Sequence, residues 1–135
     1  ISSRYELDVV QIPTNIFDQR FSRRFLRNLK KIGKMEIHGR SLFLQGMMFA
    51  QPNKLPKKFN EVKASLKKIK KMGVTPLQAA LDYLAQMEEL DVMVLGVHNV
   101  KQFSEIILEY RRTNLEIDWR GFSIDDARVI DPSLW

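Results

Sequence analysis

The sequence predicts an α/β protein made of parallel strand and helix units. Three short apolar runs, beginning near Val9, Met35 and Val92, alternate with longer segments whose apolar residues recur at helical spacing. Continuous apolar runs of this length are typical of parallel strands buried on both faces, and brief connections are typical of β/α units. With 135 residues, 44% of them hydrophobic, the chain fits one domain over residues 1–135.

The first unit begins with a strand at Val9 to Ile12, which Pro13 ends. A helix follows from Phe21, and Gly33 is placed to stop it. Its predicted inner face consists of Phe21, Phe25, Leu26, Leu29 and Ile32.

The second unit has a predicted strand from Met35 to Leu44, and Gln45-Gly46 then turn the chain. Residues 47–56 are proline-containing and predict an irregular loop. The next helix is closed by Gly73 and has as its apolar face Phe59, Val62, Leu66 and Ile69.

A clear helix start follows, because Thr75 is a good N-cap, Pro76 suits the first helical position and Gln78 completes a capping box. This helix is expected to run to about Met87, burying Leu77, Ala80, Leu81 and Leu84.

The third strand is predicted at Val92 to Leu95, before Gly96. Asn99 can cap the following helix. The expected inner face of that helix is formed by Phe103, Ile106, Ile107 and Tyr110.

Three parallel strands standing alone leave two open sheet edges, which proteins usually cover or pair. We therefore expect a dimer, a larger assembly, or a companion segment that supplies the missing neighbours. The tail from Leu115 to Trp135 is too apolar to be a free extension, so we expect it to pack across a surface.

The net charge of +6 is concentrated in two segments. Residues 18–34 carry seven Lys or Arg against one acid, and residues 57–71 carry seven Lys against one acid. The lysines of the second segment surround an apolar stripe, which favours an ordinary solvated helix face. A patch that binds nucleic acid or an anionic membrane is the open alternative, although no aromatic interleaving supports it.

Composition excludes several classes of protein. The chain has no cysteine, which excludes disulfides and thiolate metal sites and favours a cytoplasmic location. No apolar run reaches the length of a membrane span, and no signal peptide is recognisable. His38 and His98 lack acidic neighbours at metal-binding spacing, so we expect no metal site. The start at Ile1 suggests a longer parent protein or a cut piece.

Blocks of the sequence resemble the carboxy-terminal part of the aldo/keto reductase family, in a bacterial branch. Asp8-Val-Val-Gln-Ile-Pro-Thr-Asn15 with the following Phe17-Asp-Gln-Arg20 is similar to the sixth strand of that family's (β/α)8 barrel. Residues 36–46 resemble its seventh strand and loop, and residues 73–81 resemble the helix before the last strand. Residues 94–103 resemble the last strand and its helix, and residues 130–135 resemble the family's tail.

The resemblance implies a partial TIM barrel that comprises the sixth to eighth strands. It also implies that the chain lacks the catalytic Asp, Tyr, Lys and His, which lie on earlier units in the family. The three tyrosines (Tyr5, Tyr83 and Tyr110) and the two histidines sit in the wrong blocks to replace the missing proton donor. The chain alone is therefore expected to be inactive and to have no catalytic residue of its own.

What the resemblance carries over is a wall for NADP or NAD. Gln11 matches the residue that binds the nicotinamide carboxamide, and Arg40 replaces a tyrosine that stacks on the nicotinamide ring. The pyrophosphate-facing positions are Ser41, Leu42, Gln45, Gly46, Gly96, Val97, His98 and Asn99. Lys101 and Gln102 match the contacts of the adenosine 2′-phosphate, and Glu105 matches an adenine contact, whereas Ile106 replaces an asparagine. A helix amino terminus at Asn99 suits phosphate on physical grounds as well.

Two functions follow as hypotheses. In the first, the chain is a fragment or half-barrel of an oxidoreductase that transfers hydride from a nicotinamide cofactor to a small carbonyl substrate. In the second, it is a non-catalytic binding or assembly module that uses its open sheet edges or its basic helices.

Overall fold

The computed structural model describes residues 7–32 and 35–135 of the chain. Strands and helices alternate as predicted, and short 3₁₀ turns fill the connections. The strands are β1 (Val9–Pro13), β2 (Glu36–Arg40) and β3 (Val92–Met93). The helices are α1 (Arg23–Ile32), α2 (Asn60–Lys71), α3 (Pro76–Ala85), α4 (Val100–Arg112) and α5 (Ala127–Ile130). The 3₁₀ turns are Met47–Phe49, Pro52–Lys54, Lys57–Phe59, Arg120–Phe122 and Pro132–Leu134.

The three strands form one parallel sheet in the order β1-β2-β3, which confirms the α/β class. Gln11 lies opposite His38, and His38 lies opposite Val92. The third strand is shorter than expected, but the N–H of Val94 still donates to the carbonyl of Gly39 at 2.8 Å. The carboxyl ends of the strands therefore meet at one end of the sheet.

The expected strand Met35 to Leu44 is too long, because regular pairing ends at Arg40. Ser41 and Leu44 have φ angles of 58° and 45°, which lie outside the β region of regular strands. Leu42 and Leu44 are buried all the same. The apolar run therefore predicts burial correctly, but the strand predicted for its second half is wrong. A buried turn and a buried strand have the same apolar pattern.

Helix starts and stops follow the sequence signals closely. The hydroxyl of Thr75 accepts from the N–H of Gln78 (3.2 Å), and the Gln78 side chain accepts from the N–H of Thr75 (3.0 Å). This capping box opens α3, which ends slightly before the expected Met87. Gly73, at φ +74°, follows the end of α2. Gly33, predicted to stop the first helix, lies outside the described residues.

The predicted inner faces of α1 and α4 are only partly correct. On α1, Leu26 is fully buried, whereas Phe25 and Ile32 are 45% and 66% exposed. On α4, Ile106 is buried, whereas Phe103 is 48% exposed. Both helices are the outermost ones of the sheet, so one flank of each has no neighbour in the described part of the chain.

The basic segment 57–71 points into solvent as predicted. Six of its lysines are exposed and Lys63 is half-buried, while Val62, Leu66 and Ile69 form the buried stripe of α2. The ammonium of Lys68 lies 4.4 Å from the ring centre of Phe122. No described helix is long and apolar enough to cross a membrane.

The tail packs across the helices, as expected, and one buried carboxylate holds it. Asp82 of α3 is 2% exposed and accepts hydrogen bonds from the backbone N–H groups of residues 115–117. It also accepts from the Trp119 indole (2.7 Å) and the Gln86 amide (2.9 Å). These five donors replace the water that a buried carboxylate loses, so the charge is tolerated without a cation.

Replacing this carboxylate is expected to loosen the tail. Asp82→Ala leaves the indole and several amides without acceptors, so the free energy of unfolding should fall by about 3 kcal/mol. Urea denaturation monitored by tryptophan fluorescence measures the loss. The matched control is Asp118→Ala, an exposed tail carboxylate paired only with Arg120, which should change stability little. Equal losses in the two variants would contradict the anchoring role.

Candidate functional site

A cleft of about 490 Å³ lies between the loop after β2 and the turn after β3. Nine of the thirteen residues predicted to face a cofactor line this cleft. They are Arg40, Ser41, Leu42, Gln45, Gly46, Gly96, Val97, His98 and Gln102. The fold thus brings together two blocks, 40–46 and 96–102, that are far apart in the sequence.

The other four predicted residues lie outside the lining. Gln11 is exposed on β1 and lies opposite His38, on the sheet face that Arg40 shares. Asn99, Lys101 and Glu105 are exposed at the start of α4, next to the cleft wall formed by His98 and Gln102 but not part of it.

The loop that forms one wall has an unusual backbone. Leu44, Gln45 and Gly46 are consecutive left-handed residues, with φ angles of 45°, 53° and 79°. For residues other than glycine this conformation is costly by about 1–2 kcal/mol each. Local hydrogen bonds hold the shape, since the N–H of Leu44 donates to Ser41 O (2.9 Å) and the N–H of Met47 donates to Leu44 O (2.9 Å).

Asn15, which follows β1, ties this loop to the neighbouring strand. Its side-chain oxygen accepts from the N–H groups of Phe17 (2.9 Å) and Asp18 (3.0 Å), and its amide donates to Ser41 O (3.1 Å). The residue is only 1% exposed. The sequence analysis names Asn15 only as part of a family block. The available signal for a structural role is an asparagine two positions after a strand, since its side chain commonly accepts hydrogen bonds from backbone N–H groups two or three residues on.

The opposite wall is the amino terminus of α4, where some backbone N–H groups already donate to side chains of the protein. Asn99 caps the helix by accepting from the N–H of Gln102 (2.8 Å), as predicted. The Gln102 side-chain oxygen accepts from the N–H of His98 (2.9 Å). The N–H groups of Val100 and Lys101 have no acceptor within the helix, because they belong to its first turn. These two N–H groups lie just beyond the lining residues His98 and Gln102, at the edge of the cleft, and remain for an external anion.

The charge of the cleft suits an anionic ligand. Its lining contains Arg40 and His98 and no carboxylate. Arg40 is exposed and, among the described residues, forms no direct ion pair; its one side-chain hydrogen bond there is to the Ser41 hydroxyl (3.4 Å). Hydrogen bonds from Ser133 lower the pKa of the Asp131 carboxyl, and Arg40 is close enough to help lower it, after the larger effect of Arg20. An exposed guanidinium in the lining favours phosphate or carboxylate.

Four further lining residues were missed by the sequence analysis: Phe43, Phe49, Val94 and Leu95. The rings of Phe43 and Phe49 are 5.1 Å apart with an interplanar angle of 55°. Phe49 is 45% exposed. Two phenylalanines that flank a Gln-Gly turn were the available signal.

Within residues 7–32 and 35–135, no element covers the face of the sheet opposite the helices. Ile12 and Ile37, which face the helices, are 3% and 0% exposed, whereas Val9 and Val92 are 43% and 40% exposed. The expectation of strands buried on both faces is therefore wrong for this chain, because no described element lies on that side. His38 and Glu36 form a pair (2.9 Å) on the same face.

A larger cleft of about 590 Å³ lies between α1, α3 and the tail. Its main polar groups are already paired within the protein. Arg23 binds Glu89 (3.0 Å), and the Gln19 amide donates to the carbonyls of Ile16 and Trp119. Gln86 donates to Asp82 and to Ile117 O. This leaves few groups for a ligand, so we regard the smaller cleft as the candidate site.

The buried titratable groups near Tyr83 are paired within the protein: Asp18 with Arg20 and Glu89 with Arg23. Burial raises the pKa of Tyr83, whose hydroxyl is bonded to Thr14 at 3.0 Å. A buried phenol of this kind is a poor proton donor. Tyr110 is exposed, and Tyr5 lies outside the described residues. The described residues also contain no group of three or more His, Asp or Glu side chains that could hold a metal.

Comparison with known proteins adds no relative: no protein-family model, no curated sequence and no solved structure matches the chain significantly.

Removing the Asn15 side chain is expected to release the loop. Asn15→Ala leaves the buried N–H groups of Phe17 and Asp18 without a partner and removes one of the two hydrogen bonds to Ser41 O, so the free energy of unfolding should fall by about 2 kcal/mol. Hydrogen exchange at the Leu44 amide should accelerate more than the global loss of stability explains. Asn28→Ala, on the exposed face of α1, is the control and should leave both quantities nearly unchanged. Unaltered protection of Leu44 in Asn15→Ala would rule out this role.

Proposed function

We propose that this chain is the carboxy-terminal part of an aldo/keto reductase-like barrel and provides the phosphate-binding wall of an NAD(P) site. One observation carries the proposal. The positions that the resemblance assigns to the cofactor, from two distant blocks, line a single cleft. Loops that follow neighbouring parallel strands meet at the carboxyl end of the sheet, which is where α/β proteins bind ligands. The assigned positions therefore lie where a cofactor site is expected.

The uncovered face of the sheet supports the barrel part of the proposal. Parallel sheets are ordinarily covered on both faces, by helices in open sheets and by their own closure in barrels. Here α1 to α4 cover one face, and the other bears Val9, Val92, Gln11 and Arg40. In a closed barrel that second face would line the interior, and residues at the carboxyl ends of the strands would face the active site.

The exposed flanks of α1 and α4 also support the barrel part of the proposal. On α1, the ion pairs of Arg23 and Arg27 with Glu89 lie on the flank toward β3. The opposite flank bears two exposed apolar residues of α1, which form the α1 stripe: Phe25 and Ile32. Further β/α units would cover this stripe in a complete barrel.

The free edge of β3 has a corresponding stripe. Gln78 of α3 donates to Glu109 of α4 (3.0 Å), which fixes the flank of α4 that faces inward along the sheet. The apolar residues on the flank of α4 that faces away from α3 form the α4 stripe: Val100, Phe103, Ile107 and Tyr110. Val100 is 80% exposed. Apolar stripes next to both open edges are the arrangement expected of a segment with a neighbour on each side.

In the proposed site, the residues of this chain bind and orient the cofactor. The N–H groups of Val100 and Lys101 and the guanidinium of Arg40 would hold the diphosphate, and the shape of loop 41–46 would fit around it. Gln11, on the same sheet face as Arg40, would orient the nicotinamide amide. The bound cofactor supplies the hydride for a carbonyl substrate. The proton donor would come from units other than those described.

The choice between NADP and NAD rests on the first turn of α4. Lys101 is exposed there and can reach an additional phosphate, whereas the Gln102 side chain already supports the His98 N–H. A single lysine gives a modest preference for a 2′-phosphate. We therefore propose that the site takes either cofactor, with NADP favoured at low ionic strength.

A carboxylate introduced into the cleft should oppose the binding of NADPH. Gly96 has open space where a side chain would extend, so Gly96→Glu can be accommodated without a clash. The like charge should weaken NADPH binding at least about tenfold. Titration calorimetry on the 135-residue chain measures this, and no carbonyl reduction should accompany binding.

The matched control is Gly121→Glu, which also has open space but lies in the tail, outside the cleft. It should bind NADPH like the unaltered chain. Equal affinities of the Gly96→Glu and Gly121→Glu variants, or no affinity of the unaltered chain for NADPH, would overturn the proposal.

The second candidate is an assembly module, and the two stripes favour it. Without further β/α units, the α1 and α4 stripes and the sheet edges would promote self-association. Phe103→Lys should then weaken association about tenfold or more, as measured by sedimentation equilibrium. The control is Leu134→Lys, which changes an exposed apolar residue of the tail outside both stripes. A chain that stays monomeric at high concentration would remove this candidate.

A further inference from the structure

The aromatic pair in the cleft wall has no role in the phosphate contacts just described. Phe43 is half-buried and packs against the core, and Phe49 leans on it at a centroid distance of 5.1 Å. Phe49 itself is 45% exposed and lines the cleft. A large apolar ring held at the wall of a polar cleft is a feature that a ligand ring can use.

The backbone holds Phe49 at this position. Its N–H donates to the carbonyl of Gly46 (2.9 Å), within the 3₁₀ turn Met47–Phe49. The preceding Met48 is 1% exposed and anchors the turn in the core. Burial of Met48 leaves Phe49 directed outward, because consecutive residues of a tight turn point in different directions.

We propose that Phe49, braced by Phe43, is the stacking surface for the adenine ring of the cofactor. This inference rests on the function proposed above. Two rings of the cofactor are candidates. The two positions matched to the nicotinamide, Gln11 and Arg40, share one face of the sheet. Gln102, matched to the adenosine 2′-phosphate, lines the cleft together with Phe49, while Glu105 lies just outside it. We therefore assign Phe49 to the adenosine diphosphate half.

Stacking on phenylalanine has a definite chemical signature. The side chain offers a π face and no hydrogen-bonding group, so it stabilises any planar base and does not read the identity of the base. Ligands that combine a base with a diphosphate should bind with the help of Phe49. Inorganic pyrophosphate should bind without it.

The experiment compares ADP with inorganic pyrophosphate on the 135-residue chain by titration calorimetry. Phe49→Leu should weaken ADP binding about tenfold and leave pyrophosphate binding unchanged, since base–aromatic stacking contributes roughly this factor or more. Phe49→Trp should keep ADP binding at or above the original affinity. The control is Phe25→Leu, because Phe25 is also 45% exposed but lies on α1, away from the cleft.

The outcomes separate this inference from the proposed function. If the chain binds pyrophosphate and ADP but Phe49→Leu changes neither, or weakens both equally, the stacking role is wrong and the phosphate wall stands. If Phe49→Leu changes the sedimentation of the chain and not its ADP affinity, Phe49 is an association contact and the inference fails. If the unaltered chain binds neither ligand, the proposed function fails and the stacking role fails with it.

Discussion

The pairing of β2 with its two parallel neighbours determines where every group in the cleft lies. The hydrogen bond from Val94 N–H to Gly39 O is the last contact of the sheet before the chain turns toward α4. The bond from Thr14 N–H to Arg40 O has the same position on the other side. Because these bonds set the register, loop 41–46 and the turn 96–99 leave the sheet side by side. A shift of one residue would exchange the two faces of the strand and move Arg40 away from the site.

Close packing maintains this register. A side chain at Gly39 would lie 3.0 Å from Leu90 and 3.2 Å from Thr14, so the strand tolerates only glycine there without rearrangement. Asn15 and the buried Leu42 and Leu44 then hold a loop whose backbone is intrinsically unfavourable. Strained segments of this kind persist only where their surroundings fix them, and they are frequent at binding sites.

Local signals predicted the fold class and most helix ends. The capping box at Thr75, the cap at Asn99 and the glycine after α2 depend on a few adjacent residues, so the sequence contains all the information they require. The orientations of α1 and α4 depend on neighbours instead. Phe25 and Phe103 have the spacing of core residues, yet they lie on flanks that no described element covers.

The candidate site was predictable only where a family pattern existed. The resemblance named nine lining positions, but composition and periodicity alone would have named none of them. Phe49 and Asn15 escaped notice because their importance comes from contacts across the fold, with Phe43 in one case and Ser41 in the other. The role of Asp82 was not predictable for the same reason. A single aspartate in a helix does not indicate the five hydrogen-bond donors that surround it in the fold.

The surroundings of Asp82 have a consequence for the ionic-strength response of the fold. Its negative charge is balanced by amide and indole dipoles, which dissolved ions do not displace from a buried position. The pairs that join α1 to Glu89 and Asp91 involve partly exposed cations and weaken as electrolyte is added. Concentrated electrolyte would thus loosen α1 along its polar flank while the tail stays attached to α3.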